Sequence, residues 1–190
     1  SCLIIIFFLS WMILLFGLII KISSRGPVFF IQNREGFKGR CFKCLKFRTM
    51  IINDESDSKW ADDNDVRLTK IGKFLRISSL DEMPQFINVL FGEMSIVGPR
   101  PHAINLNKEY ESKIEMFNKR HRFKPGITGL AQSKGYNGFI SEINDMKNRV
   151  KLDVFYFKNW SIILDFKISF LTFVILFKNF FLLFKKQISV

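Results

Sequence analysis

The longest apolar segment of the chain lies at its beginning. Leu3 to Ile20 contains 18 residues without a charge, and its large apolar side chains are interrupted only by Ser10 and Gly17. This length is at the threshold for a helix that crosses a membrane, and the basic residues that follow from Lys21 predict that the rest of the chain lies in the cytoplasm. A signal peptide is disfavoured because no small-residue cleavage site follows.

Ser10 lies near the middle of this segment and leaves two geometries open. Its hydroxyl can bond to the carbonyl four residues earlier and bend the helix. The segment is then either a full span or a bent hairpin that enters and leaves on the same face of the membrane. A proline would kink the helix more strongly, but Trp11 follows Ser10. We expect the hairpin, held by contacts with the C-terminal part of the chain.

The following segments predict a β-hairpin and a polar loop. Val28–Gln32 and Cys41–Met50 are typical of strands, and the residues between them contain two glycines typical of a loop. Ile51 to Asp65 is polar and acidic, which predicts a mobile loop.

Helical spacing appears in the middle of the chain. Apolar residues three and four apart predict a short amphipathic helix over Thr69–Ser78, and Asn144–Phe157 predicts another. Ser79 and Glu82 have the spacing of a capping box, which predicts a further helix from there toward Leu90.

The C-terminal segment from Trp160 is rich in Phe and Leu but is punctuated by lysines. Its longest charge-free run, Ile168 to Phe177, has ten residues, which is too short to cross a membrane. The pattern favours amphipathic helices in the membrane interface over a buried core helix. The predicted fold class is therefore α+β: a membrane-inserted helical segment (1–22), a central domain with a small β-hairpin and several helices (23–160), and interfacial helices (161–190).

The composition of the chain indicates which kind of partner it binds. The 190 residues carry a formal net charge of +12, which predicts an anionic partner. The 23 Phe residues are concentrated near the two ends rather than among the basic residues, so a membrane is favoured over nucleic acid. The three cysteines, Cys2, Cys41 and Cys44, lack the further ligands that a zinc site would need, and we expect reduced thiols. Because the first residue is Ser, we also expect that the sequence is a fragment or has a trimmed start.

Three groups of residues could carry chemistry. Asp81 and Glu82 are adjacent carboxylates in a basic chain; the alternatives are acids that suit the first turn of a helix and a reactive pair. Gly98-Pro99-Arg100-Pro101 is a stiff turn that would fix the direction of one guanidinium. Lys46 and Arg48, close together in the second strand, suit phosphate oxygens.

The segments "KFRTM", "LDEMPQFINVLFGEMSIVGPRP" and "KPGITGLAQ" resemble those of bacterial sugar transferases. The resemblance covers nearly the whole chain, and it is closest to the monotopic phosphoglycosyl transferases that start glycan assembly on polyprenyl phosphate. "GPRPH" and "NDMKNRVKLDVFYFKNWS" resemble the branch that transfers hexose 1-phosphate to undecaprenyl phosphate.

The resemblance implies a reaction and a set of site residues. A UDP-sugar and polyprenyl phosphate would give polyprenyl-diphosphate-sugar and UMP at the cytoplasmic face of a bacterial inner membrane. Asp81 would be the nucleophile and a ligand of Mg²⁺, with Glu82 as its catalytic partner. The implied substrate-binding residues are Arg100, Lys46, Arg48, Arg122 and Gln132. A homodimer is a possible assembly, nucleic acid is not an expected partner, and the sugar cannot be deduced.

The sequence departs from the family pattern at several positions. Besides the missing proline after Ser10, Leu130 stands where the family often has Trp, and Ser133-Lys134-Gly135 replaces the more usual Val-Asn-Gly. A non-catalytic membrane-surface scaffold or an inactive truncated homologue is therefore the alternative to an enzyme.

Overall fold

The computed structural model describes residues 2–52, 65–136 and 142–188. The predicted loop from Ile51 to Asp65 lies almost entirely outside the described residues. The elements follow in chain order: α1 Cys2–Ser23, β1 Phe29–Glu35, β2 Cys41–Phe47, α2 Lys70–Ile77, α3 Gln85–Leu90, β3 Ser95–Val97, α4 Ile104–Glu111, β4 Gly126–Thr128, α5 Leu130–Ser133, α6 Ile143–Lys158 and α7 Ile162–Ile188. Single 3₁₀ turns cover Phe37–Gly39 and Leu80–Glu82, and a longer one covers Phe117–Arg122. The predicted α+β class is confirmed.

The predicted hairpin is present. β1 and β2 pair antiparallel with Phe29 opposite Phe47 and Glu35 opposite Cys41. The first strand is longer than expected, because Asn33, Arg34 and Glu35 extend the ladder before the chain turns. The hairpin is fixed to α3 by the buried Asn88, whose amide donates to Lys43 O at 2.8 Å and accepts from Leu45 N at 3.1 Å. The Asn88 side chain thereby pairs with two backbone groups at the edge of β2 that have no partner strand.

The predicted helix over Thr69–Ser78 is confirmed as α2. Thr69 caps it, since its hydroxyl accepts a hydrogen bond from Gly72 N at 2.9 Å. Leu75 of α2 is fully buried against Ile20 of α1 and Phe47 of β2. This contact brings α1, the end of the hairpin and α2 together just before the chain reaches the carboxylate pair.

A second, parallel pair of strands was not predicted from the sequence. β3 and β4 align Ser95 with Gly126 and Val97 with Thr128. The two backbones approach so closely that a Cβ on Gly126 would lie 2.1 Å from Gly98 N, and one on Gly98 would lie 2.4 Å from the Lys124 carbonyl oxygen. Glycine is therefore required at both positions, and the two stiff turns of the sequence form one unit in the fold.

The helices close the rest of the core. The prediction of a helix over Asn144–Phe157 is confirmed by α6, which packs Met146, Val150 and Val154 against Leu106 and Phe117. The C-terminal segment is one long helix, α7, where we expected several.

Helix α7 is attached to the core by one face. Ile168 is fully buried with Val97, Leu130 and Tyr156, and Thr172 and Thr128 share a hydrogen bond between their hydroxyls. Its other face carries exposed phenylalanines: Phe166, Phe170, Phe173, Phe177, Phe180 and Phe181.

Helix α1 is continuous through Ser10, from Cys2 to Ser23. Trp11, Leu14, Leu15 and Leu18 are exposed on it. Within the three described ranges, no helix combines the length and the hydropathy needed to cross a membrane. Insertion of α1 into a membrane stays a prediction.

Candidate active site

The carboxylate pair lies in a 3₁₀ turn directly after α2. Ser79 adopts a left-handed conformation, with φ of 56°, and its side chain caps no helix. The predicted capping box at Ser79 and Glu82 is therefore wrong, and the next helix, α3, begins only at Gln85. The physical reason is that the Glu82 carboxylate is bound by two cations, so it does not reach back to the Ser79 backbone.

Glu82 is held by Arg100 and Lys46. Arg100 Nη2 donates to Glu82 Oε1 at 2.6 Å and Arg100 Nη1 donates to Oε2 at 3.1 Å, the two-point geometry that suits a guanidinium and a carboxylate. Lys46 Nζ donates to Oε1 at 2.6 Å from β2. Burial opposes ionisation of Glu82, but these two cations hold the pKa of its carboxyl well below its usual range, so Glu82 is a permanent anion here.

Asp81 lies beside this ion pair but is not part of it. Its nearest cation is Lys46, with 4.0 Å between Nζ and Oδ2. Among the described residues, no group donates a hydrogen bond to the Asp81 carboxylate. Burial, only partly offset by Lys46 and reinforced by the charge of Glu82, raises its pKa to about 6. Asp81 is therefore mainly ionised at neutral pH, desolvated and free of hydrogen bonds from the described residues, which is the state that a carboxylate nucleophile needs.

Arg76 is a member of the site that the sequence analysis missed. It lies in the last turn of α2, its Nε donates to Thr49 Oγ1 at 2.9 Å, and its charge lowers the pKa of Asp81. The available signal was its position five residues before Asp81 in the sequence, but a basic residue in a last helical turn is common for electrostatic reasons alone.

The structure does not place Arg48 at the carboxylate pair. The Arg48 guanidinium is buried and donates to the carbonyl oxygens of Ser24 and Arg25. It thus satisfies backbone acceptors beyond the end of α1, and the role of Arg48 in binding phosphate stays a prediction.

Arg122 and Gln132 also lie away from the pair. Arg122 is exposed, with its guanidinium 5.6 Å from the centre of the Phe157 ring. Gln132 donates from its amide nitrogen to Ile127 O at 3.0 Å, and its Oε1 is buried without a hydrogen bond. Neither contacts Asp81 or Glu82, and their substrate-binding roles stay predictions.

A buried ionic cluster behind Arg100 was also not expected. Arg120 donates from Nη2 to Arg100 O at 2.7 Å and lies 3.0 Å from Asp153 Oδ2. Arg149 and His102 are buried nearby. Burial raises the pKa of Asp153 to about 6 against the pull of the two arginines, and burial together with the neighbouring cations keeps the pKa of His102 well below its ordinary value.

The structure describes the side chains of two of the three cysteines. Cys41 is exposed, Cys44 is buried, and both are free thiols. In the part of the chain that the structure describes, no three His, Cys, Asp or Glu side chains form a metal-binding group. Mg²⁺ needs fewer protein ligands, because it retains waters and binds phosphate oxygens. The unengaged carboxylate of Asp81 fits such an ion.

Comparison with known families gives one decisive match. The family model described as bacterial sugar transferase matches residues 1–179. The chain belongs to the bacterial sugar transferase family. This membership confirms the resemblance deduced from the three motif segments.

Curated members of the family are similar over most of this chain. It is 48% identical over 169 residues to a Klebsiella pneumoniae protein named UDP-glucose:undecaprenyl-phosphate glucose-1-phosphate transferase, covering 88% of this chain and 36% of that protein. A protein of the same name from Escherichia coli strain K12 is 50% identical over 157 residues, or 82% of this chain and 34% of the relative.

A third relative differs in the sugar that it is named for. The Aeromonas hydrophila UDP-N-acetylgalactosamine-undecaprenyl-phosphate N-acetylgalactosaminephosphotransferase is 40% identical over 82% of this chain and 37% of its own length. The chain thus spans about a third of the length of these family members.

Proposed function

We propose that this chain transfers a sugar 1-phosphate from a UDP-sugar to polyprenyl phosphate and releases UMP. The observation that carries the proposal is the contrast within the carboxylate pair. Glu82 is neutralised by Arg100 and Lys46, whereas Asp81 is buried, ionisable near pH 6 and accepts no hydrogen bond from the described residues. One carboxylate organises the cations and the other is available to react.

In the first step, an oxygen of Asp81 attacks the phosphorus that carries the sugar. A bond forms between this oxygen and phosphorus, and the bond from phosphorus to the UMP oxygen breaks, so UMP leaves with the electron pair. The product is an acyl phosphate on Asp81 that still carries the sugar. Arg100 and Lys46 stabilise the charge that develops on the phosphoryl oxygens, because they are already oriented and desolvated.

In the second step, a phosphate oxygen of polyprenyl phosphate attacks the same phosphorus. The bond to Asp81 breaks, the carboxylate is regenerated, and polyprenyl-diphosphate-sugar is formed. An acyl phosphate is a reactive donor, so one site can serve a soluble donor and a lipid acceptor in turn.

The chemistry of the site favours Mg²⁺ as the cofactor, with Asp81 as its protein ligand. A bound Mg²⁺ supplies positive charge to the diphosphate oxygens of the donor. Glu82 is a poor competitor for the ion, since Arg100 and Lys46 occupy its oxygens.

The donor is most simply a UDP-hexose. Two relatives with close to half of their aligned residues identical are named for glucose 1-phosphate transfer to undecaprenyl phosphate. We therefore propose UDP-glucose as donor and undecaprenyl phosphate as acceptor, and this activity would begin the assembly of a polysaccharide or glycan.

Two exposed apolar faces support a membrane location. The Phe face of α7 and the exposed residues of α1 are large apolar surfaces, which would be covered in the interface of a membrane. We propose that the chain lies at the bacterial inner membrane with residues 23–160 facing the cytoplasm, where soluble UDP-sugar is found. Because α1 is continuous through Ser10, the choice between a bent hairpin and a full span stays open, and a homodimer stays a prediction.

The test is UMP release by the purified protein in detergent, with undecaprenyl phosphate, Mg²⁺ and a panel of UDP-sugars. We expect UMP release that depends on the donor and on the acceptor, greatest with UDP-glucose. No release with any donor would favour the alternatives, a membrane-surface scaffold or an inactive homologue.

A further inference from the structure

The turn that carries Arg100 is held from outside by three different elements. Prolines at 99 and 101 have no N–H, so the turn cannot be closed by ordinary backbone bonds at these positions. Its last three carbonyls instead each accept a hydrogen bond from a donor elsewhere in the chain. Pro99 O accepts from Gly126 N at 2.9 Å, Arg100 O from Arg120 at 2.7 Å, and Pro101 O from Arg34 Nη1 at 2.8 Å.

Of these donors, Arg120 acts on Arg100 itself. The plane of the peptide after Arg100 helps to set the direction in which its side chain leaves the backbone, toward Glu82. Arg120 is only 3% exposed, and such a buried cation requires a counter-charge. Asp153 of α6 supplies it, with 3.0 Å between Asp153 Oδ2 and Arg120 Nη2.

We propose that Arg120 and Asp153 are positioning residues for the transfer reaction, because they fix the Arg100 backbone and so the two-point contact of Arg100 with Glu82. The chain of contacts runs from α6 to the catalytic pair: Asp153 holds Arg120, Arg120 holds Arg100 O, and the Arg100 guanidinium holds Glu82. Neither Arg120 nor Asp153 touches Asp81. This inference rests on the proposed function for its kinetic test but not for its structural test.

Neutralising Asp153 is the first experiment. In Asp153→Asn, Arg120 loses its counter-charge, and we expect kcat for UMP release to fall about 10- to 100-fold, as for a small misplacement of a catalytic group, with a smaller change in KM. Val150→Ala is the matched control, since Val150 lies on the same helix in the apolar core. It lowers the melting temperature but leaves Arg120 paired, and we expect it to retain wild-type kcat.

A double variant separates positioning from stability. Arg120→Met with Asp153→Leu replaces the ion pair by apolar side chains of comparable size, which is often neutral or stabilising, and removes one charge of each sign. We expect a folded protein with a restored melting temperature and a kcat as low as that of Asp153→Asn. Restoration of wild-type kcat together with stability would overturn the proposal.

A double-mutant cycle with Arg100 tests whether Asp153 affects kcat through Arg100. If Asp153 acts through Arg100, Asp153→Asn should lower kcat much less in an Arg100→Lys background than in the wild type. Full additivity of the two effects would overturn the proposal.

The structural test uses no substrate. In protein labelled with ¹⁵N-arginine, the Nε–H signal of Arg100 is assigned by its loss in Arg100→Lys. We expect it to shift or broaden in Asp153→Asn and to keep its position in Val150→Ala. An unchanged signal in Asp153→Asn would refute the positioning role, whereas absence of UMP release by the wild type would refute only the proposed function.

Discussion

Arg100 binds both oxygens of Glu82, with Nη2 2.6 Å from Oε1 and Nη1 3.1 Å from Oε2. A carboxylate bound in this way is charge-balanced and poorly available for reaction. This contact separates the proposed roles of the two carboxylates. Glu82 binds the cations, whereas Asp81 lies outside the contact and remains available for reaction.

Arg100→Lys should lower activity strongly. A lysine keeps the charge but cannot bind both oxygens of Glu82 or grip a phosphate at two points, so we expect kcat/KM for UMP release to fall about 100-fold. The amount of protein bound to membranes should not change. Arg40→Lys, at an exposed position beyond the hairpin turn, is the matched control, and unchanged kinetics in Arg100→Lys would move the phosphate site elsewhere.

Asp81→Asn should be inactive but more stable. An amide cannot form the acyl phosphate, so no sugar phosphate should be found on the protein by mass spectrometry after incubation with donor alone. Because folding raises the pKa of Asp81 from 3.8 to about 6, the folded state disfavours the charge, and its removal should stabilise the protein by about 3 kcal/mol at pH 7. Sugar phosphate on any residue other than Asp81 would contradict the assignment.

The decrease in rate at low pH should follow the protonation of Asp81, so the acid limb of the pH–rate profile should give the pKa of Asp81. The ionised carboxylate is the reactive form, so kcat/KM should be constant above pH 7 and should fall as the pH decreases through about 6. Glu82 should not contribute, because its pKa lies far below this range. A rate that remains constant down to pH 5 would exclude Asp81 as the group that titrates.

Lys46→Met should move this limb to higher pH. Lys46 favours the ionised form of Asp81, and the pKa of Asp81 must rise when that charge is lost. Lys46→Arg keeps the charge and should leave the limb near its wild-type position. The comparison is made on kcat/KM for UMP release, and a limb that stays in place in Lys46→Met would show that another group titrates.

Labelling of Cys2 should decide the geometry of α1. Exposed Cys41 is replaced by Ser, while Cys44 can remain because it is buried. For a hairpin, a membrane-impermeant thiol reagent should not label Cys2 in intact cells but should label it once the membrane is opened. Labelling in intact cells would show a full span.

Local patterns in the sequence predicted the local structure well. The hairpin follows from strand signals, and α2 and α6 follow from helical spacing. The candidate catalytic residues, Asp81 and Glu82, were selected by their adjacency in a basic chain and by the family motif.

What the sequence did not predict has a common cause: the side chains concerned bind partners that lie far away in the sequence instead of neighbouring backbone groups. The capping box at Ser79 fails because Arg100 and Lys46 bind Glu82 more strongly than a backbone amide would. The contacts of the Arg48 guanidinium with the carbonyl oxygens of residues 24 and 25 were not predicted, and neither was the pairing of Arg120 with Asp153, which no short motif connects.

The strands β3 and β4 were not predicted because three residues are too few to show the alternation of apolar and polar positions that marks a strand. The pairing of these two strands nevertheless determines when the site can form. Gly126 N holds Pro99 O, so the turn of Arg100 depends on a segment made much later in the chain. During synthesis, Asp81 and Glu82 emerge from the ribosome well before Thr128. Until β4 has been made and has paired with β3, the turn of Arg100 is not held in position and Arg100 cannot bind Glu82 as it does in the folded protein. The charge balance of the carboxylate pair is therefore a late event in the folding of the growing chain. Chains truncated before Gly126 should fail to form the Arg100–Glu82 contact when examined by the same arginine NMR signal.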